Sequence, residues 1–281
     1  MPLGYPQGVA VDAAGNVYAA DHGNCIVVKI SPAGVLTIVA GNGRCGFSGD
    51  GGPATQAMLR LNPFSPESDP LYLHLPPAGL AVDASGSLYI ADAGNHRVRK
   101  VTPDSIIRTV AGTGQTTEVR DSVPATSSSL FRPHDVALGP AGTIYIASGG
   151  RVRRVSPDGI ISTIYTSISD PPDPVHPTRS RTIRAPIAVE VDAPGNVYAV
   201  EVSYQTLGAD RGAARILRLE SDGRATLVAG GGFQSGDDGP ANQASLGYVS
   251  GIAFDRMGNL YIADQSNQRV RKVGRDGNIS T

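Results

Sequence analysis

Five gapless repeats, strict apolar alternation inside each, and the lack of any sustained helical period predict an all-β chain folded as a β-propeller of four-stranded antiparallel blades. The repeats read GVAVDAAGNVYAAD from Gly8, GLAVDASGSLYIAD from Gly79, DVALGPAGTIYIAS from Asp135, AVEVDAPGNVYAVE from Ala188 and GIAFDRMGNLYIAD from Gly251. Each places Gly three residues before Tyr: Gly15/Tyr18, Gly86/Tyr89, Gly142/Tyr145, Gly195/Tyr198 and Gly258/Tyr261. Half of the ten Tyr residues fall at this one position, so composition alone does not produce it.

Within a repeat, alternation on both sides of a Gly-containing turn is the signature of a hairpin, which supplies the first two strands. The third strand is basic and β-branched: IVVKI, RVRKV, RVRRV, RILRL and RVRKV in chain order. A four-residue turn such as Ser31-Pro32-Ala33-Gly34 or Ser156-Pro157-Asp158-Gly159 leads to the fourth, VLTIVAG, IIRTVAG, IISTIY, ATLVAG and NIST. Pro pre-sets φ and Gly accepts a positive φ in that turn. The blades then run at about 8–41, 79–112, 134–165, 187–230 and 250–281, in a single domain over 1–281.

Composition narrows the function classes. The 281 residues are 40% hydrophobic and 17% charged, a globular balance, and Gly (35) with Pro (21) supply the frequent turns. Twenty-four basic residues against 25 acidic ones give a net charge of −1, which argues against bulk attraction to nucleic acid. Trp is absent, so sugar stacking on indoles has no basis. No apolar run reaches the roughly 18 residues a membrane helix needs, and MPLGYPQG has neither the basic nor the apolar region of a signal peptide.

The repeats resemble the NHL family, whose blades carry a pattern like P-x-G-V-A-V-D-x-x-G-N-x-Y-V-A-D-x-x-N-x-R-V. Ala91-Asp92-Ala93-Gly94-Asn95-His96-Arg97-Val98 and Ala263-Asp264-Gln265-Ser266-Asn267-Gln268-Arg269-Val270 match it best. The stretch 46–55, echoed at 235–241, looks like the long-repeat bacterial branch. Resemblance implies a ring that usually has six blades, so the five repeats form either a five-bladed ring or part of a six-bladed one. It implies little about activity, because the fold hosts binding platforms and enzymes alike. In some animal NHL proteins a basic surface takes RNA, which would draw on Arg97, Arg153 and Arg269; the balanced charge and missing aromatic platform make interblade ion pairing the simpler account.

Turns between first and second and between third and fourth strands keep one length, whereas all length variation falls in the other connections: 41–78, 112–133, 166–186 and 202–213. That variable end of the blades is the expected working face. Pro-rich runs at 63–70 and 170–177 read as exposed extended loops. Asp21, Asp92 and Asp264, each with Asn three residues on, fit turn closure. Residues that break the repeat need a separate reason. At the channel mouth the first strand reads Gln7, Ala78, His134, Ile187 and Ser250, and the next position is Asp135 only in blade 3. Further in, Glu190 replaces a small Ala, and such a carboxylate requires a partner: a cation, a metal or a base such as Arg184. Gln7, His134, Asp135, Glu190 and Glu201 are therefore the candidate ligand-binding residues, with His134 and Glu190 the candidate metal ligands for a divalent ion, Zn or Ca.

Pro133-His134-Asp135-Val136 is similar to the Pro-His-Gly-Leu of a zinc ligand in peptidylamidoglycolate lyases, but the equivalent positions elsewhere lack His. The other four histidines, His22, His74, His96 and His176, lie in connecting segments. Gly/Asp-rich loops at 46–53 and 235–239 lack the ordered spacing of a calcium loop. Cys25 opens a third strand and Cys45 lies just past a fourth, a placement that lets them meet in a disulfide and so implies an oxidising, extracytoplasmic compartment. Two functions follow: a non-catalytic propeller, bacterial by the branch it resembles, that binds a protein or small ligand through its variable loops, or a metal-assisted lyase or hydrolase at the channel mouth.

Overall fold

The computed structural model describes residues 2–62, 78–167, 182–205, 213–232 and 237–281. The Pro-rich runs, His74 and His176 lie outside these residues, as does part of the 202–213 connection. The chain is all-β, with five antiparallel sheets in the repeat order. Two compact units are present, Met1–Gly149 with Arg153–Ser162, and Gly150–Val152 with Thr163–Thr281. No helix among the described residues is long and apolar enough to cross a membrane.

Blade 1 is β1 (Pro6–Val11), β2 (Val17–Asp21), β3 (Ile26–Ile30) and β4 (Leu36–Ala40); blade 2 is β5 (Leu80–Val82), β6 (Leu88–Asp92), β7 (Arg97–Val101) and β8 (Ile107–Ala111). A short β9 (Val123–Pro124) precedes blade 3, which is β10 (Pro133–Leu138), β11 (Ile144–Ser148), β12 (Arg151–Val155) and β13 (Ile160–Thr166). Blade 4 is β14 (Thr182–Val191), β15 (Val197–Gln205), β16 (Ala214–Leu219) and β17 (Ala225–Gly230). A short β18 (Gly239–Pro240) precedes blade 5, made of β19 (Val249–Phe254), β20 (Leu260–Asp264), β21 (Arg269–Val273) and β22 (Asn278–Ser280).

The Gly–Tyr spacing has a local cause. Gly15, Gly86, Gly142, Gly195 and Gly258 all take positive φ in the first hairpin turn. The Tyr hydroxyl then reaches back to the Asp that opens the turn, Tyr18 to Asp12 at 3.2 Å, Tyr89 to Asp83 at 3.3 Å and Tyr198 to Asp192 at 3.1 Å. Its ring meanwhile fills the space between blades, as Tyr18 does in the core shared by blades 1 and 2.

The connectors do more than link blades. Three share one pattern, Asp50-Gly51-Gly52-Pro53-Ala54, Asp121-Ser122-Val123-Pro124-Ala125 and Asp237-Asp238-Gly239-Pro240-Ala241, each followed five residues after the Ala by a buried Leu: Leu59, Leu130 and Leu246. In each, Pro leads into a single 3-10 turn that buries the Ala. Ahead of the Pro, Gly51, Ser122 and Asp238 each take positive φ, and the stretch hydrogen-bonds to the outer strand of the blade it enters. Gly51 N–H donates to Ile107 C=O (2.8 Å), Ser122 N–H to Ile161 C=O (2.8 Å) and Asp238 N–H to Ile279 C=O (2.8 Å). Blades 3 and 5 thereby gain a fifth strand, β9 on β13 and β18 on β22, and blade 2 a bridge from Pro53 to Ile106. These outer strands keep Ile107, Ile161 and Ile279 buried. At the same register of blade 1, Leu36 is 45% exposed, and among the described residues no connector strand lies on β4.

A buried arginine completes each of these three junctions. Arg99, Arg153 and Arg271, at most 1% exposed, grip the connector Asp: Arg99 to Asp50 at 2.7 Å, Arg153 to Asp121 at 2.9 Å and Arg271 to Asp237 at 2.7 Å. Blades 1 and 4 carry Val28 and Leu217 at this position. Repeat position and burial separate the arginines into two rows, so Arg153 falls with Arg99 and Arg271, and the half-buried Arg97 and Arg269 fall with Arg151.

Candidate functional site

The channel-mouth residues sit on irregular backbone. A register shift lies between Pro6 and Gly8, Pro133 and Asp135, Pro186 and Ala188, and Val249 and Ile252, so Gln7, His134, Ile187 and Ser250 all occupy bulges. Gln7 is exposed. Gly79 N–H donates to His134 C=O (2.9 Å), and a Cβ on Gly79 would fall 2.5 Å from Asp135 Cα, which explains the Gly of that position. Asp135 accepts the Val136 N–H at 2.9 Å. Burial, helped by the charge of Arg132, pushes the His134 imidazole down to about 4, so it is neutral at pH 7.

Glu190 lies opposite Tyr198 in blade 4. Burial pushes its carboxyl up to about 7, against the pull of the Val191 N–H. The backbone carbonyl of Arg184, the base expected beside it, accepts the Ser167 hydroxyl at 2.7 Å, and the Arg184 charge acts on Tyr165. A carboxyl whose folded pKa stands above its unfolded value favours folding below pH 4.5 and loses that contribution as pH rises toward 7. Glu190→Gln is therefore expected to match the native protein at pH 4 and exceed its unfolding free energy at pH 8 by up to about 3 kcal/mol, measured by chemical denaturation. Equal stability at both pH values would overturn this.

Glu201 is fully buried and bound on both oxygens, by the Tyr165 hydroxyl (2.8 Å) and by the Arg215 guanidinium. Its repeat equivalents show what the position does. Asp21 accepts the Gly4 N–H (2.9 Å), Asp92 that of Arg60 (2.7 Å), Ser148 that of Phe131 (3.0 Å) and Asp264 that of Gly247 (3.0 Å), so each latches the chain entering its blade. The paired Asn side chains close the turn as well, Asn24 on Asp21 and Asn95 on Asp92 both at 2.8 Å. Beside Glu201, a groove of about 650 Å³ is lined by Thr163, Tyr165, Arg215, Leu217 and Leu227.

His134 and Asp135 belong to the first unit, Glu190 and Glu201 to the second. Among the described residues no three His, Cys, Asp or Glu side chains converge as a metal-binding group. Cys25 and Cys45 are joined in a disulfide with Cα atoms 5.3 Å apart.

A cluster absent from the sequence reading lies at the variable end of the first unit. Phe47 and Phe131, 41% and 43% exposed, come from the connectors before blades 2 and 3. The Arg97 guanidinium stands 3.9 Å above the Phe47 ring and that of Arg132 5.2 Å from the Phe131 ring. His96 lies nearly parallel to Phe131, ring centroids 6.0 Å apart, and its Nδ1 accepts the Arg132 N–H at 3.1 Å. Burial and then the charges of Arg132, Arg60 and Arg97 hold its pKa below the usual imidazole range. The set comes from three separate segments, at Phe47, His96-Arg97 and Phe131-Arg132, so their three-dimensional proximity is what reveals it.

Comparison with known proteins fits this architecture. The teneurin NHL domain model matches residues 103–281, and the NHL repeat model matches 3–30 and 77–101. Teneurin-3 of Mus musculus is 27% identical over 274 residues, covering 85% of this chain and 9% of that protein. Teneurin-1 of Caenorhabditis elegans is 32% identical over 154 residues, covering 54% of this chain and 5% of that protein. These relatives are animal proteins, which gives the bacterial placement no support. Among solved structures, an auxiliary nutrient binding protein from Bacteroides thetaiotaomicron (TM-score 0.58, 13% identity, 99% of this chain and 57% of that one) and a gluconolactonase from Xanthomonas campestris (TM-score 0.55, 15% identity, 92% and 69%) share the fold alone. With a family model matched over well more than half its length, the chain belongs to the teneurin NHL domain family.

Proposed function

We propose that the chain is a non-catalytic binding module that recognises a protein partner through the variable-loop end of its blades. The observation that carries this reading is the pair of exposed rings, Phe47 and Phe131, set among arginines on that end. Aromatic residues and Arg are the types enriched in protein interfaces, and a well-packed scaffold holds these in place. Membership of a teneurin domain family fits protein binding, and the Cys25–Cys45 disulfide supports an oxidising, extracytoplasmic setting. Gln7, His134, Asp135, Glu190 and Glu201 stay ligand candidates of second rank, because Asp135 and Glu201 already have structural partners.

A screen of the purified domain against a panel of cell-surface ectodomains tests the proposal. Binding found with the native protein is expected to weaken by about 2 kcal/mol or more in Phe47→Asp/Phe131→Asp, the loss typical of interface hot spots. Ala14→Arg/Ala84→Arg, at the constant-turn end, should leave it unchanged. The opposite pattern would overturn the choice of face.

A further inference from the structure

The cluster that carries the proposed binding also has a chemistry of its own. The sequence is almost charge-balanced, with 24 basic and 25 acidic residues, so a local surplus of guanidinium groups is a departure from the whole. Among the described residues, the carboxylates that act on Arg97, Asp50 and Asp92, both bind the buried Arg99, at 2.7 and 3.3 Å. On the connector side, Glu118 pairs with Arg120 at 2.6 Å. Arg97 is held by two backbone carbonyls, Asn95 at 3.0 Å and Thr113 at 2.6 Å, which fix its fork without cancelling its charge. Neither Arg97 nor the exposed Arg60 is ion-paired among the described residues. His96 contributes no charge of its own in this setting, since Nδ1 is already an acceptor.

We infer that Arg60, Arg97 and Arg132, with Phe47 and Phe131, receive an acidic polypeptide segment that places carboxylates on the guanidinium forks and an apolar side chain on the rings. This rests on the binding reading above and specifies the partner's chemistry. Planar forks suit carboxylates in two-point contact. The two exposed rings select a polypeptide over a sulfated polysaccharide, which offers charge but nothing apolar to cover them. A compact cluster of three guanidiniums also differs from the long basic track a polyanion requires.

The test uses fluorescence anisotropy with three probes: a synthetic peptide alternating Glu and Phe, a second alternating Glu and Ser, and a heparin oligosaccharide. The Glu/Phe peptide is expected to bind the native chain most tightly. Its Kd should rise at least about tenfold in Arg60→Glu/Arg132→Glu, and again at high salt, as expected of charge-guided contacts. Arg60→Gln/Arg132→Gln should fall between, with all variants melting cooperatively near the native Tm. A Kd unchanged by charge reversal, no binding of the Glu/Phe peptide, or heparin binding more tightly than both peptides would overturn the inference. The failures are separable. If an ectodomain partner is lost with Phe47→Asp/Phe131→Asp yet kept by Arg60→Glu/Arg132→Glu, the binding reading stands and the acidic partner falls; if it survives the Phe changes, the binding reading itself falls.

Discussion

Arg99→Ala is expected to lower the unfolding free energy by roughly 3–5 kcal/mol, the range for removing one partner of a buried ion pair. Arg99 has no exposed surface and holds three groups at once: Asp50, the Ser48 carbonyl at 3.1 Å and Asp92. Asp92 is wholly buried, and burial already raises its pKa despite Asn95, the Arg60 N–H and Arg99. Removing the guanidinium leaves that carboxylate less compensated. Since a raised folded pKa disfavours folding once the pH exceeds the unfolded value of 3.8, the deficit should shrink as acid protonates Asp92. Arg99→Leu should recover part of the loss, because Leu217 fills the same register in blade 4. Urea denaturation at pH 7 and pH 4 measures both effects; a deficit under about 1 kcal/mol at pH 7 would show that the junction is held by burial of Ile107, Ala54 and Leu59 alone.

Cys25→Ser/Cys45→Ser is expected to cost about 3 kcal/mol, the chain-entropy value for a loop of this size. The two cysteines are 20 residues apart, and the bond ties the start of β3 to the first residues of the connector. Cys45 also bridges Leu59, and Gly46 N–H donates to Leu59 C=O at 3.1 Å, so the bond anchors the turn that presents Phe47. The variant, and the native protein in reductant, should unfold at matching lower denaturant concentrations, and partner binding should weaken with them. Coincident unfolding curves with and without reductant would refute this.

Much of the fold is legible in the sequence because the repeat is written in residues with local consequences: Gly where φ is positive, Asp and Tyr closing one turn, alternation along each strand. The outer fifth strands are harder to read. The connectors at 46–55 and 235–241 echo each other, but the third, Asp121 to Ala125, shares only Asp, Pro and Ala with them, and its Leu130 is five residues further on. The signal that finds it is covariation inside the chain: Arg stands at the third position of the third strand in blades 2, 3 and 5, the blades entered by such a connector, and Val28 or Leu217 elsewhere. Site residues were less legible. Glu201 stands where other blades carry Asp21, Asp92, Ser148 and Asp264, and its longer side chain meets Tyr165 and Arg215, partners that no repeat position announces. Phe47, Arg60, His96 and Phe131 break no repeat and stand far apart in sequence, so no pattern joins them.

Among the described residues no connector strand covers the outer edge of blade 1, which bears on how this chain behaves at high concentration. A strand edge carrying Val35, Leu36 and Ile38 in contact with water is a template on which another extended chain can add, and neither a charged side chain nor a proline on β4 blocks that addition. Where the connectors cap blades 2, 3 and 5, the fold protects itself from aggregation with its own backbone. At blade 1, colloidal stability depends on whatever occupies that edge, and Ile38→Lys is the natural solubilising change.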